Sequence, residues 1–452
     1  MTEAGLRREV GLTGVVMFGA GTAIGVSIFS VLQPAAEVAG AGLLVAVALA
    51  ALPMILFATV YAWLASAMPI SGASYEWPRR FLSPFAGFAI AWLRVLSNVG
   101  ALVVLARVLA NYLGMAVAVP AMPLIACALT GVFVLNYIGV HVAARLQTVL
   151  MLLLIAVLAL FVAAGLPHAS AATIGAPLSA GSAAILAGVP LMISLFLGIE
   201  SAVEIGEEVR DAKRNIPLGI LLAILLTAVV YAAVAATALG LIGPAALAKS
   251  DAPLLDAARV PLGGWATPVI VSAATIAILK TMNATALIFS RSLFAMARAG
   301  VFPSGLAAIH PRFGTPHRAI ILCYILAMCG LLMPPSLVFL LLAVNIPTML
   351  KYGACSLCAV RVAAHPGMIE AKPALNFSPR VMTIVGWLGV VAAAGIIAAG
   401  LEADHRPYLL VLGWFALGLL YYGVHVRRTG RARAPMPDDV GGKFMQKNTP
   451  ER

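Results

Sequence analysis

Phe18-Gly19-Ala20-Gly21-Thr22-Ala23-Ile24-Gly25-Val26-Ser27-Ile28-Phe29 sets three glycines within seven residues, and two hydroxyl side chains, in the middle of an apolar run. Each glycine weakens a helix interior by about 1 kcal/mol relative to alanine, so the stretch predicts a helix that unwinds locally. In lipid, unwound backbone is tolerable only beside other protein or a watery cavity. The half-helix that follows would aim its N–H groups at an anion, and the carbonyls before it would suit an ammonium. Gly21 and Gly25 also form a GxxxG, which reads equally as a face for close helix packing.

Composition places this stretch in a membrane. Of 452 residues, 62% are apolar and 10% charged, with a mean hydropathy of +1.03. A soluble domain averages about 45–50% apolar and about 25% charged, so this chain cannot cover itself with a polar surface. Soluble enzymes, collagen-like chains and disordered regulators are thereby excluded. The 41 glycines and 28 prolines fit closely packed, interrupted helices better than alternating barrel strands. The net charge of +12 is scattered through short connections instead of covering one face, so nucleic acid is not an expected partner. All five cysteines fall in apolar runs. Cys355-x-x-Cys358 has no second pair or nearby histidine, and no metal or cofactor is expected.

Runs of about 20 apolar residues mark spans near 13–34, 41–68, 85–113, 119–137 and 147–166. Five more follow near 183–206, 216–243, 264–290, 317–334 and 337–361, and two near 380–400 and 407–426. The expected organisation is a cytoplasmic N-terminus at 1–12 and a ten-helix core at 13–361, made of halves 13–166 and 183–361. A linker at 362–379, two further helices within 380–426 and a basic tail at 427–452 complete it. Of 29 lysines and arginines, four lie within spans and three in loops of the opposite side. The other 22 share the side of the N-terminus, which predicts both termini in the cytoplasm of a multi-pass inner-membrane protein. Two halves of five crossings each have opposite orientations, as an inverted repeat requires.

The second half opens with a comparable interruption, Ser194-Leu195-Phe196-Leu197-Gly198-Ile199-Glu200-Ser201-Ala202-Val203-Glu204. Gly198 and Glu200 put a break and an acid near the membrane interior. A lone carboxylate is costly there, so Glu200 is expected to be paired, hydrated or protonated, either serving transport or bonding the adjacent break.

With these pieces in place the chain resembles the amino acid, polyamine and organocation permease superfamily. The similarity lies in Ile24-Gly25-Val26-Ser27-Ile28-Phe29, in Gly198-Ile199-Glu200 with Glu207-Glu208 and Arg214-Asn215-Ile216-Pro217, and in Pro69-Ile70-Ser71-Gly72-Ala73-Ser74-Tyr75. It continues in Asn283-Ala284, Ser290-Arg291 and Ala295-Met296-Ala297-Arg298-Ala299-Gly300. The resemblance implies an all-α integral membrane protein of 12 transmembrane helices. Its core would be a LeuT-type 5+5 inverted repeat with helices 1 and 6 discontinuous, carrying an amino acid or related amine by alternating access.

Carried over by position, the resemblance implies that backbone at Gly25, Val26 and Ser27 receives a substrate carboxylate. Carbonyls near Thr22, Ala23 and Phe196 would receive its amine, with Leu197 and Gly198 flanking its side chain. Two departures stand out. Ser27 replaces a frequent glycine, and Met151-Leu152-Leu153-Leu154-Ile155 lacks the lysine that some proton-coupled relatives carry on span 5. Lys280 instead lies on span 8, three residues before Asn283. It is expected either to replace a sodium ion between spans 1 and 8 and exchange its proton during transport, or to be a permanently paired structural lysine.

Arg94 and Asn98 lie one helical turn apart on span 3. Arg94 is expected to snorkel towards the cytoplasm in preference to selecting an acidic side chain, and Lys351 to behave likewise. The histidines show no metal-like spacing. No Walker loop, nucleophile elbow or HExxH helix occurs, so the chain reads as a transporter driven by gradients or exchange and not as an enzyme. The expectation is a permease for amino acids, neutral ones by the character of the named pocket residues, with protons or a counter-substrate as coupling partner. An exchanger of cationic amino acids or polyamines using Glu200, a membrane nutrient sensor and a channel are the alternatives.

Overall fold

The computed structural model describes residues 10–429 except 26, 71, 177, 180, 199, 205, 207, 208, 334–336, 370–372 and 402–404. Val26, Ile199, Glu207, Glu208 and the basic tail beyond 429, all singled out in the sequence, lie outside the described residues.

The chain is helical. In order run α1 (Leu12–Ala23), α2 (Ser27–Ser30), α3 (Leu32–Ala39), α4 (Leu43–Ala67), α5 (Ala73–Trp77) and α6 (Pro84–Gly114). Then come α7 (Ala121–Ile138), α8 (Val140–Gly165), α9 (Ala171–Ile174), α10 (Gly181–Ile193), α11 (Ser201–Glu204) and α12 (Ala212–Lys249). The chain continues through α13 (Pro253–Leu262), α14 (Ala266–Arg298), α15 (His317–Gly330), α16 (Leu337–Ala364), α17 (Pro379–Gly400) and α18 (Arg406–Thr429). Among the described residues the only β-type pairing is an isolated bridge between Val10 and Val209. Nine helices among them are long and apolar enough to cross a bilayer, and α15 is a shorter apolar helix.

Local chemistry explains the boundaries. Ser83 caps α6, its Oγ accepting the Ala86 N–H at 3.0 Å, and Pro84 takes the first helical position, where no intrahelical N–H bond is needed. α12 changes direction at Gly243 (φ 75°) and Pro244. α6 and α14 lie inside the bundle, buried along most of their length, whereas α17 and α18 lie outside and turn Val391, Leu409, Leu412 and Leu420 outward. That outer apolar surface suits lipid and would be untenable in water.

Two interruptions position the site. α1 ends at Ala23, Ile24 leaves helical geometry at ψ 78°, and helix resumes at Ser27. α10 passes through a 3-10 turn at Ser194–Phe196, Leu197 is extended, Gly198 adopts φ 103° and helix resumes at Ser201. Gly198 therefore needs its missing Cβ, because only glycine enters that region of backbone space at low cost.

Candidate functional site

The two breaks lie against each other. Ser27 Oγ donates to the Ser194 carbonyl at 3.2 Å, and Ser201 Oγ lies 2.8 Å from Thr22 Oγ1. A Cβ on Gly198 would come within 2.6 Å of Thr22 Cγ2, so the backbones approach as closely as a glycine permits. Gly25 combines both readings of its motif. It follows the end of α1, and a Cβ there would lie 2.5 Å from Thr281 Oγ1 on α14, a close approach between elements.

The backbone groups freed by the first break find partners inside the protein, as an apolar surrounding demands. The Gly25 N–H donates to the Ala23 carbonyl at 2.8 Å, and the buried Tyr231 hydroxyl on α12 donates to that same oxygen at 2.6 Å. Both lone pairs of the Ala23 oxygen are therefore in use in this conformation. Lys280, fully buried on α14, donates its ammonium to the carbonyl oxygens of Gly21 and Ile24, the latter at 2.6 Å. The cation thus sits on the C-terminal end of α1, where the helix dipole presents its negative pole. Asn283, on the same helix, accepts from Asn136 Nδ2 of α7 at 3.0 Å.

A chain of charges adjoins the second break. Glu200 Oε1 pairs with Lys351 of α16, while Oε2 accepts the Tyr352 hydroxyl at 2.5 Å and the Gly198 N–H at 3.1 Å. Four residues on, Glu204 Oε1 pairs with Arg94 Nη1 of α6 at 2.9 Å and also accepts from Ser74 Oγ of α5. The four charged side chains are buried and sum to zero. Arg94 and Lys351 therefore do not reach for the membrane surface as expected. An acid from the α10–α11 break lies within reach of each, and pairing inside a low-dielectric interior outweighs the pull of distant water.

Phe57, Tyr61 and Tyr352 pack together above Glu200, with Phe57 stacked on Tyr352 at 4.7 Å between ring centres. A small cavity of about 10 Å³, roughly the room of one water, is lined by Met54, Phe57, Ala58, Tyr61, Glu200, Ile220 and Tyr352. A larger open cleft of about 390 Å³ lies apart from the breaks, around Lys249, Asp251, Asp256 and Arg259 at the α12–α13 junction. Among the described residues no cluster of His, Cys, Asp and Glu is placed to hold a metal ion.

Sequence reasoning had not singled out Tyr231, Tyr352, Ser201, Thr281 or Asn136. Only one signal was available for the charged network: Glu200 and Glu204 are acids inside a span, and an acid in lipid needs a basic partner such as Arg94 or Lys351.

A multi-helix membrane protein with two abutting mid-span helix breaks belongs to the carriers, where irregular backbone in the bilayer serves a solute. Residues 10–417 match the family model of the amino acid permeases, and the chain belongs to that family. It is a transporter and not an enzyme. An uncharacterized transporter of Mycobacterium tuberculosis is 33% identical over 316 residues, 70% of this chain and 71% of the relative. A branched-chain amino acid permease of Bacillus subtilis is 24% identical over 338 residues, 70% of this chain and 73% of its own. A methylthioribose transporter of the same organism is 27% identical over 452 residues, covering 94% of each chain.

Proposed function

We propose that this permease carries a zwitterionic amino acid with a neutral side chain across the cytoplasmic membrane by alternating access. The scaffold would be twelve crossings with a 5+5 inverted repeat, both termini in the cytoplasm. The observation that carries this reading is the contact between the two helix breaks, with Lys280 seated on the carbonyls of Gly21 and Ile24.

The substrate's charges would be met by peptide dipoles. Its carboxylate would take the N–H groups of the break at Gly25, Val26 and Ser27, and the Gly25 N–H would exchange its present bond to Ala23 for the incoming anion. Its ammonium would find carbonyls at Thr22 and Phe196, since the Ala23 oxygen already has two donors. Leu197 and Gly198 would border the side chain. Such a site holds a dipolar solute without burying an unpaired formal charge, whose cost in a low-dielectric interior would exceed any binding gain.

Lys280 would couple transport to protons. An ammonium that bridges α14 to the end of α1 holds the break closed. Loss of its proton removes a donor from those carbonyls and frees α1 to move. Asn283 would keep α14 attached to α7 while this happens.

Reconstituted in proteoliposomes, the protein is expected to exchange radiolabelled alanine or leucine saturably, and to accumulate them when an inward proton gradient is imposed. Lys280→Met should abolish the pH-driven component while the protein stays monodisperse. Unchanged coupling in that variant overturns the role of Lys280. Failure to exchange any neutral amino acid overturns the substrate class and turns attention to uncharged solutes such as the thiosugar named for the Bacillus relative.

A further inference from the structure

Glu200 is the acid a cationic substrate would seek beside the second break, and both of its oxygens are already engaged. One carboxylate oxygen is bonded by the Lys351 ammonium and the other by the Tyr352 hydroxyl and the Gly198 N–H. The Lys351 side chain is 2% exposed, and its Nζ lies 4.5 Å from the centre of the Tyr352 ring and 6.0 Å from that of Tyr61. The aromatic faces add to the hold on the cation. Glu200 also lines the small cavity, together with Tyr61 and Tyr352, so the carboxylate that holds Lys351 borders the space next to the break.

The charge count turns this geometry into selectivity. Arg94 and Glu204 neutralise each other 2.9 Å apart, and Lys351 and Glu200 do the same. A substrate with a cationic side chain would raise the total of these four groups to +1 and would find each acid among them already paired. Without Lys351 the same groups would total −1 and would favour a cation.

On the reading of the site as an amino acid carrier given above, we infer that Lys351 is a specificity-determining residue. Its ammonium is a tethered cation that occupies Glu200 and thereby excludes arginine-, lysine- and polyamine-like substrates in favour of those with neutral side chains. Tyr352, adjacent on α16, holds the second carboxylate oxygen so that Glu200 cannot turn to a competing ligand.

The test is binding of radiolabelled arginine to the purified full-length protein, beside leucine counterflow in proteoliposomes. Wild type is expected to show no saturable arginine binding. Lys351→Met should gain it with at least tenfold tighter affinity, and adding Glu200→Gln should remove the gain, which a merely structural lysine would not produce. Lys351→Gln, close in shape to lysine, provides a second uncharged variant if the methionine one aggregates. A monodisperse Lys351→Met or Lys351→Gln protein that leaves arginine binding unchanged overturns the inference. So does wild type that binds arginine as tightly as leucine, a result that needs no variant. Absence of leucine counterflow in wild type would instead overturn the neutral amino acid reading, because arginine gain and its reversal are read from binding alone.

Discussion

Glu204 shows what a single buried carboxylate does in this protein. It neutralises Arg94, accepts from Ser74 and sits one turn from Glu200, so its removal leaves a guanidinium without its counter-ion inside the bundle. Breaking one side of such a pair costs about 3–5 kcal/mol, far more than the pair contributes over an apolar replacement. Glu204→Ala is therefore expected to lower the thermal midpoint in detergent sharply. Arg94→Leu combined with Glu204→Leu should recover most of the loss, because no lone charge remains. Equal damage from single and double changes would mean that the pair is not the reason. At this scale the sequence was half legible. The presence of Glu200 and Lys280 in apolar runs marked them as residues needing partners, whereas Arg94 and Lys351 read as side chains reaching for the cytoplasmic surface. The partners were not legible, since Arg94 meets Glu204 across 110 residues and Lys351 meets Glu200 across 151.

Helix breaks belong to the scale of the element. Gly198 at φ 103° cannot take a side chain without strain, and a Cβ would also strike Thr22 at 2.6 Å. Gly198→Ala is expected to reduce exchange at least tenfold with the protein still inserted and monodisperse, and exchange at the wild-type rate would deny the break its role. Gly25→Ala tests a different cause, since the Cβ there meets Thr281 Oγ1 at 2.5 Å. Adding Thr281→Ala should restore part of the lost flux by removing that atom. Both interruptions were visible in the sequence because they are written in local propensity: clustered glycines and hydroxyl residues cannot sustain a regular helix. Element boundaries differ most from the apolar runs in three places. α8 begins at Val140, well before the hydrophobic run near 147, α12 continues past Gly243 to Lys249, and α14 runs on past 290 to Arg298. In each case helix extends beyond the apolar stretch, which length counting by hydropathy does not register.

For the whole molecule, the distribution of lysine and arginine predicts an orientation that a tag can check. Protease-sensitive tags on both termini should be cleaved in inside-out vesicles and protected in right-side-out ones, and opposite behaviour of the two ends would refute an even number of crossings. The outer helices are fastened by aromatic contacts. Trp92 of α6 and Trp414 of α18 stack at 4.8 Å, and each indole N–H donates to the other's carbonyl at 2.8 Å. Trp414→Ala should loosen α18 and lower the thermal midpoint by a few degrees without altering which substrates are bound, since this contact includes none of the residues named at the breaks.

Composition and apolar run length alone determined that the protein is helical and lives in a bilayer, because the need to bury apolar area and to satisfy every backbone bond acts residue by residue along the chain. Glycine placement likewise determined where helices would break, a local property of the backbone. Only the tertiary structure decided what the breaks face and which acid meets which base. Lys280 rests on Gly21 and Ile24 from 259 and 256 residues away, and Tyr231 reaches Ala23 across 208. Contacts of that kind depend on how helices pack against one another, and no local pattern records the partner a buried charge will find.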